Sequence, residues 1–402
     1  MATWHVNSDS GNDTTGNGAQ GNPYKTLYNL CVTLGVVAAN DTVLCTNGIG
    51  NVPEVLTAPI QVLNALPTFS APVKIIGVNS SWVDDGTRYK INGNSAVVNC
   101  FANSVVNQIL IEVYNLELYN ATSACLAIGT TNAYWTWVNC IFRNSAGAGV
   151  SGATGSSLHI YYKCRFNNNA TFGIQQTSTT SGSFTLICCE FFSNANGIRM
   201  TYLQGFLIFG CVIRDNTSSG ISMNTVGYGM IPIINNVFDG NAYGVVNAVT
   251  GTFSRPILLG NRFTNNTAAR FAPWNGSIYL EDLNFSLNNG ADTLIGTGII
   301  RSILNRSISS GTEGYVNRAG KNYALTRQAS GISIEDAIGG LDGTTKMYWT
   351  AGLPRIEPVL PAIDKVETLT QYGDNGTELT GTKPAGAGGG SVIGSSIIRR
   401  VK

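Results

Sequence analysis

The sequence predicts an all-β protein: a single-stranded parallel β-helix, or solenoid, with a short N-terminal helix cap and an extended C-terminal tail. Three observations lead there. First, a motif recurs, as in "WTWVNCIFRNSAGAGV", "HIYYKCRFNNNATFGI" and "FTLICCEFFSNANGI": an apolar run, a Cys or Asn, one residue, an aromatic or aliphatic, then an Asn and a Gly–apolar pair. Fixed-period repeats mean stacked units, each burying its neighbour's apolar face. Second, the Cys or Asn position falls at Leu116, Cys140, Cys164, Cys189, Cys211, Asn236, Asn261 and Leu283, in steps of 24, 24, 25, 22, 25, 25 and 22 residues. That period suits one coil of a parallel β-solenoid. The repeats are dense in Gly and Asn and hold no long 3.6-residue pattern, which excludes helical repeats. Third, the apolar residues keep a period of two. Val113, Trp137, Tyr161, Leu186, Ile208, Ile233, Leu258 and Leu280 stand three before the reference position; Leu118, Phe142, Phe166, Phe191, Ile213, Phe238, Phe263 and Phe285 stand two after it. Alternate residues share one face of a strand, so each set stacks inward, coil on coil, about 4.8 Å apart.

The reference position is read as the bend between two strands. An Asn there passes amide hydrogen bonds from coil to coil, and a Cys fills the same small space as a weak donor. Cys140, Cys164, Cys189, Cys211, Asn236 and Asn261 are therefore expected to form a structural ladder rather than a reactive or metal site. A second asparagine stack is read five residues later, at Asn169, Asn194, Asn216, Asn241, Asn266 and Asn288.

The other elements follow in chain order. Residues 1–40 read as an entry segment and cap: Leu27, Leu30, Cys31 and Leu34 lie on one face of a short helix. A solenoid needs such a cover because an open edge invites pairing with other chains. Residues 41–343 read as the β-helix, with "APVKIIGVN" and "RYKINGNSAVVNC" as early, less regular coils. Residues 344–402 read as an extended tail for docking, too sparse in apolar residues to fold alone.

The opening "WHVNSDSGNDTTGNGAQGNPYKTLYNL", the strand "NDTVLCTNG" and the later "GKNYALTRQASGISIEDAIGGLDG" resemble segments of the pectate-lyase-like superfamily of right-handed parallel β-helix proteins. The resemblance implies a right-handed β-helix. It does not select a function, because this fold hosts lyases, hydrolases, adhesins and virus spikes. The tail segment "VETLTQYGDNGTELTGT" resembles short segments of phage structural and bacterial surface proteins.

Composition narrows the options. Only 12% of the 402 residues are charged, the net charge is +1, and Gly numbers 47. No Lys/Arg cluster precedes the closing Arg399, Arg400 and Lys402, so nucleic acid is not an expected partner. The N-terminus does not read as a signal peptide, and no run approaches the ~18 apolar residues of a membrane span. Nine cysteines, an odd number, argue against a complete disulfide framework. No cofactor fingerprint, phosphate loop or metal-ligand spacing is seen, and no catalytic residue is assigned. Asp84–Asp85, with Arg88 and Lys90 following, and Glu281–Asp282 read as polar turns. His159 reads as a core or corner residue. Arg165 beside Glu190 and Arg214 beside Asp239 read as cross-coil ion pairs.

One feature exceeds what the fold needs. On the face opposite the core stand Val138, Tyr162, Ile187, Phe209, Ile234 and Leu259. A solvated strand face should be polar, and a continuous apolar strip marks a contact. Either the chain's own turns and tail cover it or another chain does; a subunit interface is the expectation. The sequence therefore points to a non-enzymatic structural protein of a large assembly, a bacteriophage virion component such as a spike, fibre or capsid decoration. It would sit in a virion or extracellular assembly as a homo-oligomer, a trimer or fibre, or bound to other virion proteins. The alternative is a polysaccharide lyase or hydrolase acting on a surface glycan.

Overall fold

A computed structural model describes residues 1–61, 71–103, 110–129, 134–152, 158–176, 183–201, 206–223, 230–247 and 255–272, residue 289, and the backbone of short strands between Ile278 and Thr380. The chain forms two compact units, Met1–Ile332 with Trp349–Pro354, and Ser333–Tyr348 with Arg355–Lys402. In the second, Gln371–Tyr372 pairs antiparallel with Leu379–Thr380.

The first unit is a parallel β-solenoid of three sheets, with 12, 11 and 8 strands. Each central coil contributes one strand to each sheet, and these strands pair with their counterparts one coil away. In the first sheet Trp137, Tyr161, Leu186, Ile208, Ile233 and Leu258 stand in one register column. In the second, Phe142, Phe166, Phe191, Ile213, Phe238 and Phe263 do the same. All are buried. The rings of Phe166 and Phe191 lie parallel with centroids 4.6 Å apart, and those of Phe238 and Phe263 at 4.7 Å. The third sheet buries Val150, Ile174, Ile198, Ile221 and Val245. Beside them runs the glycine of the Gly–apolar pair. A Cβ on Gly173 would stand 2.6 Å from the Gly197 carbonyl oxygen, and one on Gly197 2.5 Å from that of Gly220. Only a residue without a side chain lets these strands approach so closely.

The backbone turns one residue earlier than the sequence suggests. Asn115, Asn139, Lys163, Cys188, Gly210, Asn235 and Gly260, each just before the reference position, all have positive φ, from 54° to 64°. Asn and Gly adopt this left-handed conformation most readily. The reference residue itself follows the turn and points inward.

Three further differences concern the ends. Thr3–Asn7 already pairs in parallel with Thr42–Thr46, so the first rung lies inside the entry segment. The cap helix is a five-residue π-helical turn, Asn29–Thr33, closed by Leu34 N donating to Asn29 O at 2.9 Å. Leu27, Leu30 and Cys31 are buried, but Leu34, past the turn, is 43% exposed. In the coil after Asn261 the register shifts by one: Leu258 pairs with Glu281 and Phe263 with Ser286. Asn289, not Asn288, then continues the asparagine stack, accepting from Asn266 N at 3.1 Å. Leu283, the boundary at Gly343 and the tail's side chains lie outside the described residues.

Candidate functional site

The ladder residues are structural in geometry. Each thiol donates to a carbonyl of the preceding coil: Cys164 to Trp137 O and Cys189 to Tyr161 O, both at 3.3 Å, and Cys211 to Leu186 O at 3.6 Å. Asn236 and Asn261 make the equivalent bonds, to Ile208 O at 3.0 Å and Ile233 O at 2.8 Å. The asparagines also accept from the preceding coil, Cys211 N to Asn236 Oδ1 at 2.8 Å and Asn236 N to Asn261 Oδ1 at 3.0 Å. Burial pushes the Cys164, Cys189 and Cys211 thiols well above their ordinary range, so they carry little thiolate. All nine cysteines are free, and Cys188 is exposed.

His159 is buried, stacked on Phe184 with centroids 5.6 Å apart, and no hydrogen bond reaches either ring nitrogen. Burial pulls its pKa down to about 3. It occupies the inward column between Trp135 and Phe184 and is a core residue.

On the outer face of the second sheet, Arg165 Nε donates to Glu190 at 2.9 Å. Arg214 reaches Glu190 at 2.6 Å and Asp215 at 2.9 Å. The guanidinium of Arg214 lies 4.1 Å from the centroid of Phe192. The exposed Arg165–Glu190 pair contributes about 0.2–1 kcal/mol, whereas Arg214 is buried beneath its two carboxylates and the Phe192 ring.

The outer face of the first sheet carries the apolar column. Val138, Tyr162, Ile187, Phe209, Ile234 and Leu259 stand in register over six successive coils. Tyr114, Ile76 and Leu44 extend the column toward the N-terminus. None of the six is fully buried, and Tyr162 is 37% exposed. The neighbouring outward column is charged in the early coils, where Lys74 and Glu112 stand 3.6 Å apart. After Ile160 and Thr185 it carries Leu207, Pro232 and Ile257, so from Leu207 onward the coils are apolar across both columns.

The sequence reading missed a second surface feature. A cleft of ≈ 490 Å³ opens beside the second sheet's early strands, lined among others by Asn47, Asn51, Ser80, Arg88, Lys90 and Glu117. Its walls are two turns that each join a first-sheet strand to the second-sheet strand of the same coil. In one, Asn47 Oδ1 accepts from Lys90 N at 2.6 Å. In the other, Asn79 Oδ1 accepts from Ser81 N and Val83 N at 2.9 and 3.0 Å. Asp85 sits in that turn, held down at about 2 by hydrogen bonds from Thr87 and Asn79. Asp84 accepts from Asn115 Nδ2 at 2.8 Å. The two carboxylates thus serve the turn. Glu281–Asp282 closes a strand whose side chains lie outside the described residues. Among the described residues no three His, Cys, Asp or Glu side chains form a group able to hold a metal ion, and no helix is long and apolar enough to cross a membrane.

Residues 124–289 match the family model of the right handed beta helix region. The structure is similar to XylC in complex with xylose, with 12% identity, coverage of 77% of this chain and 71% of that one, and a TM-score of 0.51. It is also similar to pectate lyase Pel9A, with 13% identity over 96% of both chains and a TM-score of 0.46. A third is the GH136 lacto-N-biosidase from Eubacterium ramulus, with 11% identity, 76% and 68% coverage and a TM-score of 0.49. At these identities the likeness is one of fold. No curated protein sequence matches the chain.

Proposed function

Starting from a pectate-lyase-like right-handed parallel β-helix as the scaffold, we propose that the protein is a non-enzymatic structural component of a large assembly. It docks to copies of itself through the outer face of the first sheet. The supporting observation is the partly exposed apolar column from Val138 to Leu259, continuous across six coils. Fully burying a large apolar side chain contributes about 1.5–3 kcal/mol, and stacking between rungs already takes roughly two thirds of that here. Burying the last third of six such residues on each of two copies releases on the order of 6–12 kcal/mol. That is comparable with an association cost of ~4–15 kcal/mol. The setting we assign is a bacteriophage virion component, a spike, fibre or capsid decoration. It rests on the texture of the C-terminal segment, whose side chains lie outside the described residues.

Sedimentation of the Ile187→Lys/Phe209→Lys variant tests the docking face. Both side chains point outward, so the coils should fold while the assembly dissociates. A folded double variant that still assembles contradicts the reading. The alternative, a polysaccharide lyase or hydrolase, takes its support from the polar cleft. Release of reducing sugar or unsaturated product from acidic polysaccharides would favour it.

A further inference from the structure

We propose that the solenoid interior at the coils of Trp135 and His159 is a closed hydration site, in which a small cluster of ordered water bridges Trp135, Trp137, His159 and Tyr161. The stacking pattern marks the place. In two adjacent inward columns of the first sheet, His159 follows Trp135 and Tyr161 follows Trp137. The coil before places Ile111 and Val113 in those columns, and the coil after places Phe184 and Leu186. Both flanking layers are apolar. In the two coils between them, every side chain of the two columns carries a nitrogen or a hydroxyl into the core. A polar window two coils tall therefore interrupts an apolar stack.

Those polar groups lie inside without protein partners. The four residues are at most 2% exposed. Among the described residues, Trp135 Nε1, Trp137 Nε1, both ring nitrogens of His159 and Tyr161 Oη meet no hydrogen-bond partner. Buried polar groups are nearly always paired, either with protein or with ordered water, because an unpaired one keeps the full cost of leaving solvent. Ring contacts join the five atoms into one region. Trp135 and Trp137 stack with centroids 5.4 Å apart. The Phe184 ring stacks on both His159 and Tyr161, at 5.6 and 6.2 Å. The stacking is also looser here, 5.6 Å between the register partners His159 and Phe184 against 4.6 Å between Phe166 and Phe191. Gln176, on the third sheet of the same coil as His159, brings a further buried amide.

Hydrogen-bond chemistry selects the ligand. An indole N–H only donates, a neutral imidazole offers one donor and one acceptor, and a phenol does either. Burial pulls the His159 pKa down to about 3, so its ring is neutral. The window thus presents four donors and two accepting groups. None of them is charged, so an ion would be stranded in a low-dielectric core. The ligand has to be small and neutral, accepting from the indoles while donating to the imidazole or the phenol. Water meets those terms, and buried waters make about three hydrogen bonds each. The apolar layers on either side close the site along the solenoid axis, so the cluster is isolated and not part of a channel.

The test is magnetic relaxation dispersion of solvent water, which counts the water molecules held inside the full-length protein, on the wild type and on Tyr161→Phe/His159→Phe. The expected result is the loss of at least one long-lived water in the double variant. Tyr162→Phe, whose hydroxyl stands outside the solenoid, should lose none. Denaturant unfolding of Tyr161→Phe supplies a sign. A hydroxyl bonded to water stabilises the fold, so its removal should lower the midpoint; removal of a dry, unpaired hydroxyl would raise it. If the double variant does not fold, a high-resolution crystal structure of the wild type decides, with water expected within about 2.7–3.2 Å of at least two of the five atoms. A dry interior in that structure, an unchanged water count, or a raised midpoint for Tyr161→Phe would overturn the proposal. Neither substitution touches the outer docking face, so this idea and the assembly reading fail separately.

Discussion

The backbone amide of Cys211 donates to the side-chain oxygen of Asn236 across 2.8 Å, where the corner ladder passes from sulfur to amide. On the sulfur side the equivalent contact is looser, 3.4 Å from Leu116 N to Cys140 Sγ. The two residue types fill one space, but only the asparagine both donates and accepts strongly.

That difference is measurable. Asn236→Ala leaves the Cys211 amide buried without its partner, at about 1–3 kcal/mol, and takes the side-chain donor away from the Ile208 carbonyl. Cys189→Ala loses a weak donor and one sulfur's volume, and should cost roughly 1 kcal/mol. Denaturant unfolding should rank Asn236→Ala well below Cys189→Ala. Equal losses would mean that the ladder is packing alone.

The phenylalanine stack sets a second scale. Phe166→Ala or Phe191→Ala opens a cavity between parallel rings in the solenoid interior and should cost roughly 3–5 kcal/mol. A near-neutral variant would show that the coils repack around the gap.

Thiol chemistry gives a third expectation. Cys140, Cys164, Cys189 and Cys211 are buried and Cys188 is exposed. Alkylation of the native protein, followed by peptide mapping, should label Cys188 first and leave the four ladder thiols intact until unfolding. Rapid modification of Cys164 or Cys189 would contradict the packing account.

Stability should depend on pH through two buried groups of opposite sign. Glu54 is 2% exposed and accepts from Leu27 N and Tyr28 N, each at 3.0 Å, and from Tyr89 Oη at 2.6 Å, joining the cap to the coils. Burial outweighs these bonds and pushes its pKa up from 4.5 to about 7. The folded state then holds the extra proton between those values, so this contribution to stability falls as pH rises through that window. His159 works in reverse: its pKa lies near 3 instead of 6.5, and stability falls as pH drops below 6.5 because the unfolded chain takes up the proton. Thermal unfolding of Glu54→Gln should lose the first dependence. His159→Phe should lose the second and raise the melting temperature in acid. A variant that keeps the wild-type slope would rule out the group concerned.

The central coils were legible in the sequence because each buried position must satisfy the same stack in every coil. Phe142, Phe166 and Phe191 recur for that reason, as do Asn169, Asn194 and Asn216. The coil after Asn261 was misread by one residue. Aligning Phe285 with Phe263 looked favourable, but the hydrogen bonds of Asn266 to Asn289 set the register. Leu34 continued the apolar spacing of Leu27 and Leu30 past the point where the π-helical turn ends. The cleft was invisible to periodicity because Asn47, Ser80 and Arg88 stand in turns between first-sheet and second-sheet strands that are longer in these early coils than the tight corners later on. Lys90 was noted only as a neighbour of Asp84 and Asp85; its register with Glu117 emerges only when the coils are stacked.

The most direct test of the assembly reading is photo-cross-linking from Tyr162, replaced by a photoreactive amino acid, in the native assembly. Mass spectrometry of the cross-linked peptides reports what touches the exposed apolar column. The account predicts intermolecular cross-links to the first-sheet strands of a second copy, within Val138–Leu259. Cross-links confined to the same chain's own turns or tail, or none in an assembly that remains intact, would contradict it.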